Sequence, residues 1–335
     1  MPSHRDFFSP QGKQAFTPPR RRLRAAGGIV ALAALVLLVS ELAPSRGAAA
    51  YGEQRLEAIY AKFGDQMPII DARGEMAIFQ GAPGEPALDC AALLGPRTMV
   101  ALVFGQSNAS NTVDPGYDST LPVFAGYGGQ CQKAHDALPG ASSLKGSSWS
   151  RLGDRIVASG LYDKVLFVDI ARGGSSILNW GPKGDLNALL LSTLDAMRAR
   201  GMPPTHVFFH QGEADCAIGL PGRDYKAVLD TVLAQVREKT GGHCAIYVSR
   251  ASLFMDPACG DQQDPGCYRS CPAIVTAQTE ATDAARSIFA GPNTDLLVPW
   301  FNRNDGYHFT AQAADRFAAA WMPLLVRDAA PPQPQ

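Results

Sequence analysis

Residues 98–108 read Thr-Met-Val-Ala-Leu-Val-Phe-Gly-Gln-Ser-Asn, and they decide the fold of this chain. The run from Thr98 to Phe104 is apolar, contains β-branched residues, and lies between a Gly-Pro pair and Gly105. Such a run predicts a strand that is buried on both faces, as in a parallel sheet. Ser107 then falls at the carboxyl end of the strand, where open α/β sheets bind their ligands. The alternative is that Ser107 only caps a turn or a helix.

A second apolar strand is followed by a polar segment in the same way. His206–Phe209 predicts a short strand, and the segment His210–Asp215 leaves its carboxyl end. The side-chain amide of Gln211 can donate a hydrogen bond to a developing oxyanion. The carboxylate of Glu213 can orient a histidine or bind a sugar hydroxyl.

Metal binding is an alternative use of this second segment. His210, Glu213, Asp215 and Cys216 are all residue types that ligate metals. Their spacing matches no standard zinc motif, such as Cys-x2-Cys or His-Glu-x2-His. We therefore predict no metal site here.

An acid and a histidine lie together near the end of the sequence. Asp305 precedes His308 by three residues, in a loop that leads into the amphipathic pattern 310–321, with Thr310 as a candidate N-cap. An aspartate in this position can orient the imidazole and stabilise its charged form. That is the logic of a Ser-His-Asp triad, which depends on geometry and not on chain order. The alternative is a histidine in an ordinary polar loop.

A pair of glycines follows a further predicted strand. The strand is Lys164–Ile170, and the segment Ala171–Ile177 leaves its end, with Trp180 close behind. The paired glycines, Gly173 and Gly174, allow backbone N–H groups to approach a ligand closely, and such groups commonly build oxyanion holes. The segment lacks Gly-x-Gly-x-x-Gly, so it is not a dinucleotide fingerprint.

Strands and helices alternate along the chain, and this alternation predicts a three-layer α/β/α fold with a central parallel sheet. The long loops 109–148 and 251–272 are candidate walls of a substrate site. The predicted strands lie near 99–104, 164–170, 205–209, 244–249 and 295–299. The predicted helices lie near 51–63, 149–159, 185–200, 223–238, 273–288 and 310–321.

The four polar segments resemble those of the SGNH hydrolase superfamily, whose fold is flavodoxin-like. They are most similar to its sialate O-acetylesterase-like (SASA) branch, which includes acetylxylan esterases. The resemblance covers about residues 95–327. The chain departs from the pattern of that branch at Ala109, where Met is common, and at Ser175, where Thr is common. The matching blocks are Gly105–Asn108, Gly173–Ile177 with Trp180, Gln211–Asp215 and Asp305–His308.

The resemblance implies a role for each of these residues. Ser107 would be the nucleophile, His308 the base and Asp305 its acid partner. Glu213 is a rival for the role of acid, because some relatives use the glutamate of the third block. The implied oxyanion donors are the N–H of Ser107, a backbone N–H at Gly173 or Gly174, and the Gln211 side chain. The remaining candidates for substrate contact are Glu213, Asn108 and Trp180.

Together, motifs and resemblance predict a serine-dependent carbohydrate O-acyl esterase that acts through an acyl-enzyme on Ser107 and needs no cofactor. Its expected substrate is an acetylated envelope or extracellular glycan. One alternative is a glycan O-acetyltransferase, in which a glycan hydroxyl replaces water at the same site. Another is an inactive glycan-binding protein of the cell envelope, against which the intact set Ser107, Asp305 and His308 argues.

The composition permits one sizeable domain and gives no reason to expect nucleic-acid binding. The chain has 335 residues, of which 46% are hydrophobic, and its formal net charge is −1. No global basic field is present to attract nucleic acid. We expect a lead-in segment at 44–94, the esterase domain at 95–327 and a disordered tail at 328–335.

The N-terminal sequence predicts export. Residues 1–24 are polar and end in a cluster of arginines, and the apolar segment 25–43 comes next. A basic flank before an apolar run predicts a cytoplasmic N-terminus, here a disordered tail, with the body of the protein across the membrane. We expect an uncleaved signal anchor, and the alternative is a signal peptide cleaved near Ala48–Ala50. Either outcome gives a periplasmic or extracellular domain in a bacterial-type envelope.

Seven cysteines fit an oxidising compartment. They predict up to three disulfides and one remaining thiol, with a connectivity that spacing alone leaves open. A metal site at Cys259, Cys267 and Cys271 is the alternative, and it lacks an evident fourth ligand.

Overall fold

The computed structural model describes residues 46–67, 78–81, 86–242, 244–261, 263–298 and 300–328. The chain divides into two units, Met1–Glu53 and Gln54–Gln335, and the central sheet belongs to the second. The predicted membrane segment at 25–43 and both predicted disordered tails lie outside the described residues, apart from Asp328 at the end of the last helix. Among the residues that are described, no helix is both long enough and apolar enough to span a bilayer.

A seven-stranded sheet forms the centre of the fold. Its strand order is β3-β2-β4-β1-β5-β6-β9, and all neighbours are parallel except β2 and β3. A separate antiparallel pair consists of β7 and β8. The strands are β1 Thr98–Gly105, β2 Val123–Tyr127, β3 Gln130–Lys133, β4 Lys164–Asp169, β5 His206–His210, β6 Ala245–Arg250, β7 Phe254–Met255, β8 Tyr268–Arg269 and β9 Ile288–Asn293.

Helices cover both faces of this sheet. The α-helices are α1 Arg46–Phe63, α2 Ser148–Ala158, α3 Ile177–Trp180, α4 Asn187–Ala199, α5 Glu213–Ala217, α6 Gly222–Thr240, α7 Pro272–Glu280 and α8 Ala311–Asp328. Short 3-10 turns lie at Gly64–Gln66, Cys90–Leu93, Ser107–Ala109, Pro265–Cys267, Ala284–Arg286, Thr294–Leu296 and Trp300–Asn302.

Strand β1 lies near the middle of the sheet, and all eight of its residues are buried. Side chains alternate across a strand, so Val100, Leu102 and Phe104 pack into the core beneath α4, α6 and α7. The intervening Ala101 and Val103 pack into a second core with α2 and α8. Two apolar layers on one sheet give the predicted three-layer α/β/α architecture, which is confirmed.

The last strand was placed wrongly by the sequence pattern. No strand spans 295–299 among the described residues there; β9 lies at Ile288–Asn293, and the helix predicted for 273–288 ends at Glu280. The Asp283 side chain accepts a hydrogen bond from the Ala285 N–H and holds a 3-10 turn that separates helix from strand. Strand β9 contains Pro292, which is tolerated because β9 is the edge of the sheet.

The first long loop contains an unpredicted hairpin. Strands β2 and β3 lie within the predicted loop 109–148 and join through Gly128 and Gly129, both with positive φ. The edge strand β3 is therefore antiparallel in an otherwise parallel sheet. Alternation of strands and helices cannot reveal a hairpin, because a hairpin contains no helix.

Candidate active site

A cavity of about 770 Å³ opens at the carboxyl ends of β1, β4 and β5. It brings Ser107, Gly173, Gly174, Glu213 and His308 to one place, although they come from four segments of the chain. The rest of the lining is largely apolar or weakly polar. These residues are Gln106, Asn108, Thr112, Ser142, Ser143, Leu144, Lys145, Ala214, Ala217, Leu253, Phe254, Pro257 and Tyr307.

The turn that carries Ser107 depends on a close approach of β1 to β5. Gly105 has a φ of 137°, and a Cβ at this position would overlap the carbonyl oxygen of His210. Only glycine combines this backbone with this contact. The carbonyl of Ser107 accepts hydrogen bonds from the hydroxyls of Ser110 and Thr112, at 2.9 and 2.8 Å. These two hydrogen bonds stabilise the turn, and Ser107 borders the cavity.

The Asp305 side chain binds His308 directly. Its Oδ2 lies 2.6 Å from His308 Nδ1, and its Oδ1 accepts the backbone N–H groups of Tyr307 and His308 at 3.0 and 2.9 Å. Partial burial raises the pKa of Asp305, but these hydrogen bonds and the charge of His308 outweigh burial and hold the pKa well below its usual range. Asp305 is therefore ionised at neutral pH, and His308 Nε2 is the ring nitrogen that remains to exchange a proton.

The two glycines after β4 have different environments. The N–H of Gly173 donates to Ser142 Oγ at 2.9 Å. In the described part of the chain, the N–H groups of Ser107 and Gly174 donate no hydrogen bond. Gly174 also has a positive φ of 70°. Of the two glycines, Gly174 is thus the better candidate for a free donor.

Trp180 stabilises the loop that contains Gly173 and Gly174 by a hydrogen bond to Ser175. It is fully buried, packs edge-on against Phe104 with ring centroids 5.3 Å apart, and donates from Nε1 to Ser175 Oγ at 2.9 Å. Trp180 is not part of the cavity lining, and its role as a substrate contact stays a prediction. The local sequence does not reveal this apolar partner, because Phe104 lies on β1.

Gln211 likewise lies behind the cavity. Its side chain is fully buried, and Nε2 donates to the carbonyl of Ser175 at 3.0 Å and to Gln106 Oε1 at 3.2 Å. The Gln106 oxygen also accepts the N–H groups of Gly212 and Ala214. In this structure the Gln211 amide joins the polar segments to each other and is not part of the cavity lining, so its role as an oxyanion donor stays a prediction.

Asp215 is the buried centre of this supporting network. It accepts hydrogen bonds from the Ser176 hydroxyl at 2.6 Å and from the Ile177 N–H at 3.0 Å, and it contacts Gln211 Nε2. Complete burial raises the pKa of Asp215 to about 6, although the hydrogen bonds from Ser176 and Gln211 act to lower it. No sequence motif indicates this supporting role for Asp215. Its actual partners come from a segment 38 to 39 residues away.

Glu213 borders the cavity but binds Asn108. Its Oε1 accepts from Asn108 Nδ2 at 3.0 Å. Among the described residues no hydrogen bond joins Glu213 to His308, whereas Asp305 makes two bonds to that residue. The geometry therefore favours Asp305 over Glu213 as the partner of the histidine.

Arg303 is a buried cation that no sequence motif singles out. It donates to the carbonyls of Tyr307 and Thr294, at 2.8 and 3.0 Å, and its guanidinium lies over the Phe309 ring. Burial lowers its pKa, while the charges of Glu213 and Asp295 act to raise it. Arg303 thus holds the His308 turn in shape. An arginine five residues before a histidine is too ordinary a pattern to have indicated this role.

One wall of the cavity is a cross-linked hairpin. The loop between strands β7 and β8 contains the disulfide Cys259–Cys267, and the disulfide Cys216–Cys271 joins the segment after β8 to α5. A third bridge, Cys90–Cys131, leaves Cys244 as a buried thiol, so three disulfides and one thiol are confirmed.

The candidate metal ligands are engaged elsewhere. Cys216 is in a disulfide, Asp215 binds the 176–177 turn, and His210 Nε2 lies 3.0 Å from Thr294 Oγ1. Within the described ranges, only the side chains of Cys259, Asp264 and Cys267 bring three ligand atoms together. The two sulfurs of this cluster are bonded to each other.

The fold and the cavity define the class of the protein: a three-layer α/β/α hydrolase fold with its polar site at the carboxyl ends of the strands. Residues 152–257 match the family model described as "Carbohydrate esterase, sialic acid-specific acetylesterase". The resemblance is confirmed over these residues, which contain two of the four motif blocks, Gly173–Ile177 and Gln211–Asp215, and the match indicates a hydrolase that acts on carboxylic esters.

Several solved structures are similar to this chain at low sequence identity. A protein from Arabidopsis thaliana is 15% identical and has a TM-score of 0.50, with 70% of this chain and 99% of that chain covered. A carbohydrate acetylesterase from Xanthomonas citri is 15% identical, with a TM-score of 0.45 and coverages of 68% and 56%. A carbohydrate esterase family 3 protein from Talaromyces cellulolyticus is 13% identical, with a TM-score of 0.45 and coverages of 68% and 97%. No curated protein matches this sequence.

Proposed function

We propose that this protein is a carbohydrate O-acetylesterase that works through an acyl-enzyme on Ser107. One observation carries the proposal: Ser107 and His308 border the same cavity, and His308 is hydrogen-bonded to Asp305. A nucleophile, a base and a group that orients the base are the three parts that serine catalysis needs.

Each step can be assigned to a side chain. His308 Nε2 removes the proton from Ser107 as its Oγ attacks the ester carbonyl, and Asp305 stabilises the imidazolium that forms. The imidazolium then protonates the leaving sugar oxygen, so that the C–O bond breaks and an acetyl group stays on Ser107. A water molecule, deprotonated by the same imidazole, attacks this ester and releases acetate and the free serine.

The developing oxyanion needs donors that are free and fixed. We assign this role to the backbone N–H groups of Ser107 and Gly174. Gly173 is a weaker candidate because its N–H is bound to Ser142. Gln211 would have to exchange its buried partners before it could donate to the oxyanion.

The cavity suits a sugar ester better than it suits acetate alone. Ligand pockets typically measure about 300 to 1,000 Å³, and the 770 Å³ here exceed what an acetyl group fills. Phe254 and Tyr307 offer aromatic surface to the apolar face of a sugar ring. Ser142 and Ser143 offer hydroxyls within the same lining. An acetylated carbohydrate is therefore the proposed substrate.

The deciding experiment measures acetate released by the purified full chain from p-nitrophenyl acetate and from an acetylated oligosaccharide. We expect saturable release from both substrates, unchanged by addition of an unacetylated glycan. Loss of free acetate together with acetylation of the added glycan would show a transferase instead. Binding of the glycan without any release of acetate would show a binding protein.

We also propose that the catalytic domain lies outside the cytoplasm of a bacterial-type cell, held by the N-terminal segment. Three disulfides are typical of an oxidising compartment. The arginines before residue 25 predict translocation of the chain on the C-terminal side of the apolar segment.

A fusion of alkaline phosphatase to the C-terminus should be active in a bacterial host, because that enzyme needs an oxidising compartment. A matched fusion that ends before Ala25 should be inactive. Retention in membranes after a carbonate wash would support the uncleaved anchor, and a soluble product starting near Tyr51 would support cleavage. An inactive C-terminal fusion would contradict export.

A further inference from the structure

The side chain of Asn108 holds the backbone on both sides of His308. Its Oδ1 accepts the N–H of Phe309 at 3.1 Å, and its Nδ2 donates to the carbonyl of Tyr307 at 3.1 Å. Asn108 is almost completely buried, with an exposed fraction of 3%. A buried side-chain amide can thus replace a neighbouring backbone strand, gripping the residues immediately before and after the histidine.

Glu213 fixes the orientation of this amide. The Nδ2 of Asn108 also donates to Glu213 Oε1 at 3.0 Å, so both hydrogens of the amide face an acceptor. Rotation of the amide by 180° would set its oxygen against the Glu213 carboxylate and the Tyr307 carbonyl. Because unpaired buried polar groups are costly, only one orientation is stable.

The other bonds of the His308 turn lie within the turn itself or join it to Thr294. The N–H of Asn304 donates to the His308 carbonyl, Asp305 accepts the His308 N–H, and Arg303 donates to Tyr307. These bonds shape the turn but do not attach it to the nucleophile. Among the hydrogen bonds of the described residues, those of Asn108 are the ones that join 105–109 to 303–309.

We propose that Asn108 is a positioning residue that sets the distance between His308 and Ser107, and that Glu213 is the acceptor that orients it. The inference rests on the proposed function, because it assumes that Ser107 and His308 exchange a proton. Asn108 is adjacent to Ser107 in sequence, so any shift of the clamp changes the separation of base and nucleophile directly. Proton transfer tolerates little such change.

The first test is Asn108→Ala, assayed with p-nitrophenyl acetate. Because a displacement of about 1 Å can reduce turnover about 100-fold, we expect kcat to fall by about that factor while KM changes less than about threefold. Asn187→Ala is the matched control, since Asn187 Nδ2 also donates to a carbonyl, that of Trp180, and to a side-chain oxygen of Gln235. It lies on α4, outside the cavity lining, and should keep wild-type kcat.

A second test exchanges the hydrogen-bond donor and acceptor between residues 108 and 213. The recovery of kcat that it measures is not expected if Asn108 only stabilises the fold. Asn108→Asp places a carboxylate against Glu213 and the Tyr307 carbonyl, and should reduce kcat more than Asn108→Ala does. Adding Glu213→Gln removes one negative charge and supplies an N–H donor to the new aspartate. The kcat of the double variant should therefore be at least about tenfold higher than that of Asn108→Asp. An effect of this size is typical of strongly coupled pairs of residues.

The outcomes separate this inference from the proposed function. A kcat for Asn108→Ala equal to that of Asn187→Ala, or a loss confined to KM, would overturn the clamp; a KM effect would make Asn108 a substrate contact. If Asn108→Ala does not fold, the comparison of Asn108→Asp with the double variant decides, and no recovery would overturn the clamp. Full activity of Ser107→Ala would instead defeat the proposed function itself.

Discussion

Replacement of Ser107 by alanine should reduce esterase turnover by about 10⁴- to 10⁶-fold, the range seen when a serine nucleophile is removed from a triad. The proposed acyl-enzyme forms on this hydroxyl, and alanine has no atom that can replace it. A residual rate above that in water is expected, because the oxyanion donors and the cavity remain.

The fold should tolerate this change. The bonds that hold the Ser107 turn use its carbonyl oxygen, which accepts from Ser110 and Thr112 and which alanine retains. We expect the melting temperature of Ser107→Ala to stay within a few degrees of that of the wild type, since these bonds are kept. Ser192→Ala, on the exposed face of α4, is the control for serine removal and should keep full activity.

A serine-directed phosphonate should label Ser107 of the wild-type protein. In Ser107→Ala, this labelling and the esterase turnover should both be lost. Retention of more than about a tenth of wild-type turnover by Ser107→Ala would show that another group attacks the ester, because loss of a triad nucleophile costs far more than that. In that case Glu213 and His210 would be the first groups to reconsider.

The sequence predicted those parts of the fold in which the residue pattern of a segment directly reflects where that segment is buried. Strand β1 is apolar over its whole length because both of its faces are buried, so its sequence and its burial carry the same information. Ser107, Gly173 and Glu213 follow within about four residues of strand ends, and parallel strands bring those ends to one edge. Proximity of these residues could therefore be predicted without any knowledge of distances.

The orientation of side chains at that edge could not be predicted in this way. Gln211 and Glu213 are two residues apart, yet the first turns inward to Ser175 and the second borders the cavity. The difference depends on Gly212, whose φ of 147° reverses the chain between them. Asn108 and Arg303 were likewise missed as supports, because their partners lie on other segments and appear only when the sheet has formed.

The identity of the acid is decided by the comparison of Asp305→Asn with Glu213→Gln. Asp305 Oδ1 accepts two backbone N–H groups, those of Tyr307 and His308. In Asp305→Asn the amide oxygen should keep these two bonds, so the NH₂ group must face His308 Nδ1. The ring then carries its proton on Nε2, the wrong tautomer to accept a proton from Ser107.

We therefore expect Asp305→Asn to reduce kcat by about 10³- to 10⁴-fold, the effect of the wrong tautomer in a triad. Glu213→Gln keeps an oxygen that can accept from Asn108 and should cost less than about tenfold, the value of one weakened hydrogen bond to a charged group. Both variants exchange a carboxylate for an amide of the same shape, so each is the control for the other. Steady-state kinetics with p-nitrophenyl acetate measure both effects. A larger loss in Glu213→Gln would transfer the role of acid to Glu213, and the 2.6 Å contact between Asp305 and His308 would then serve only to shape the turn.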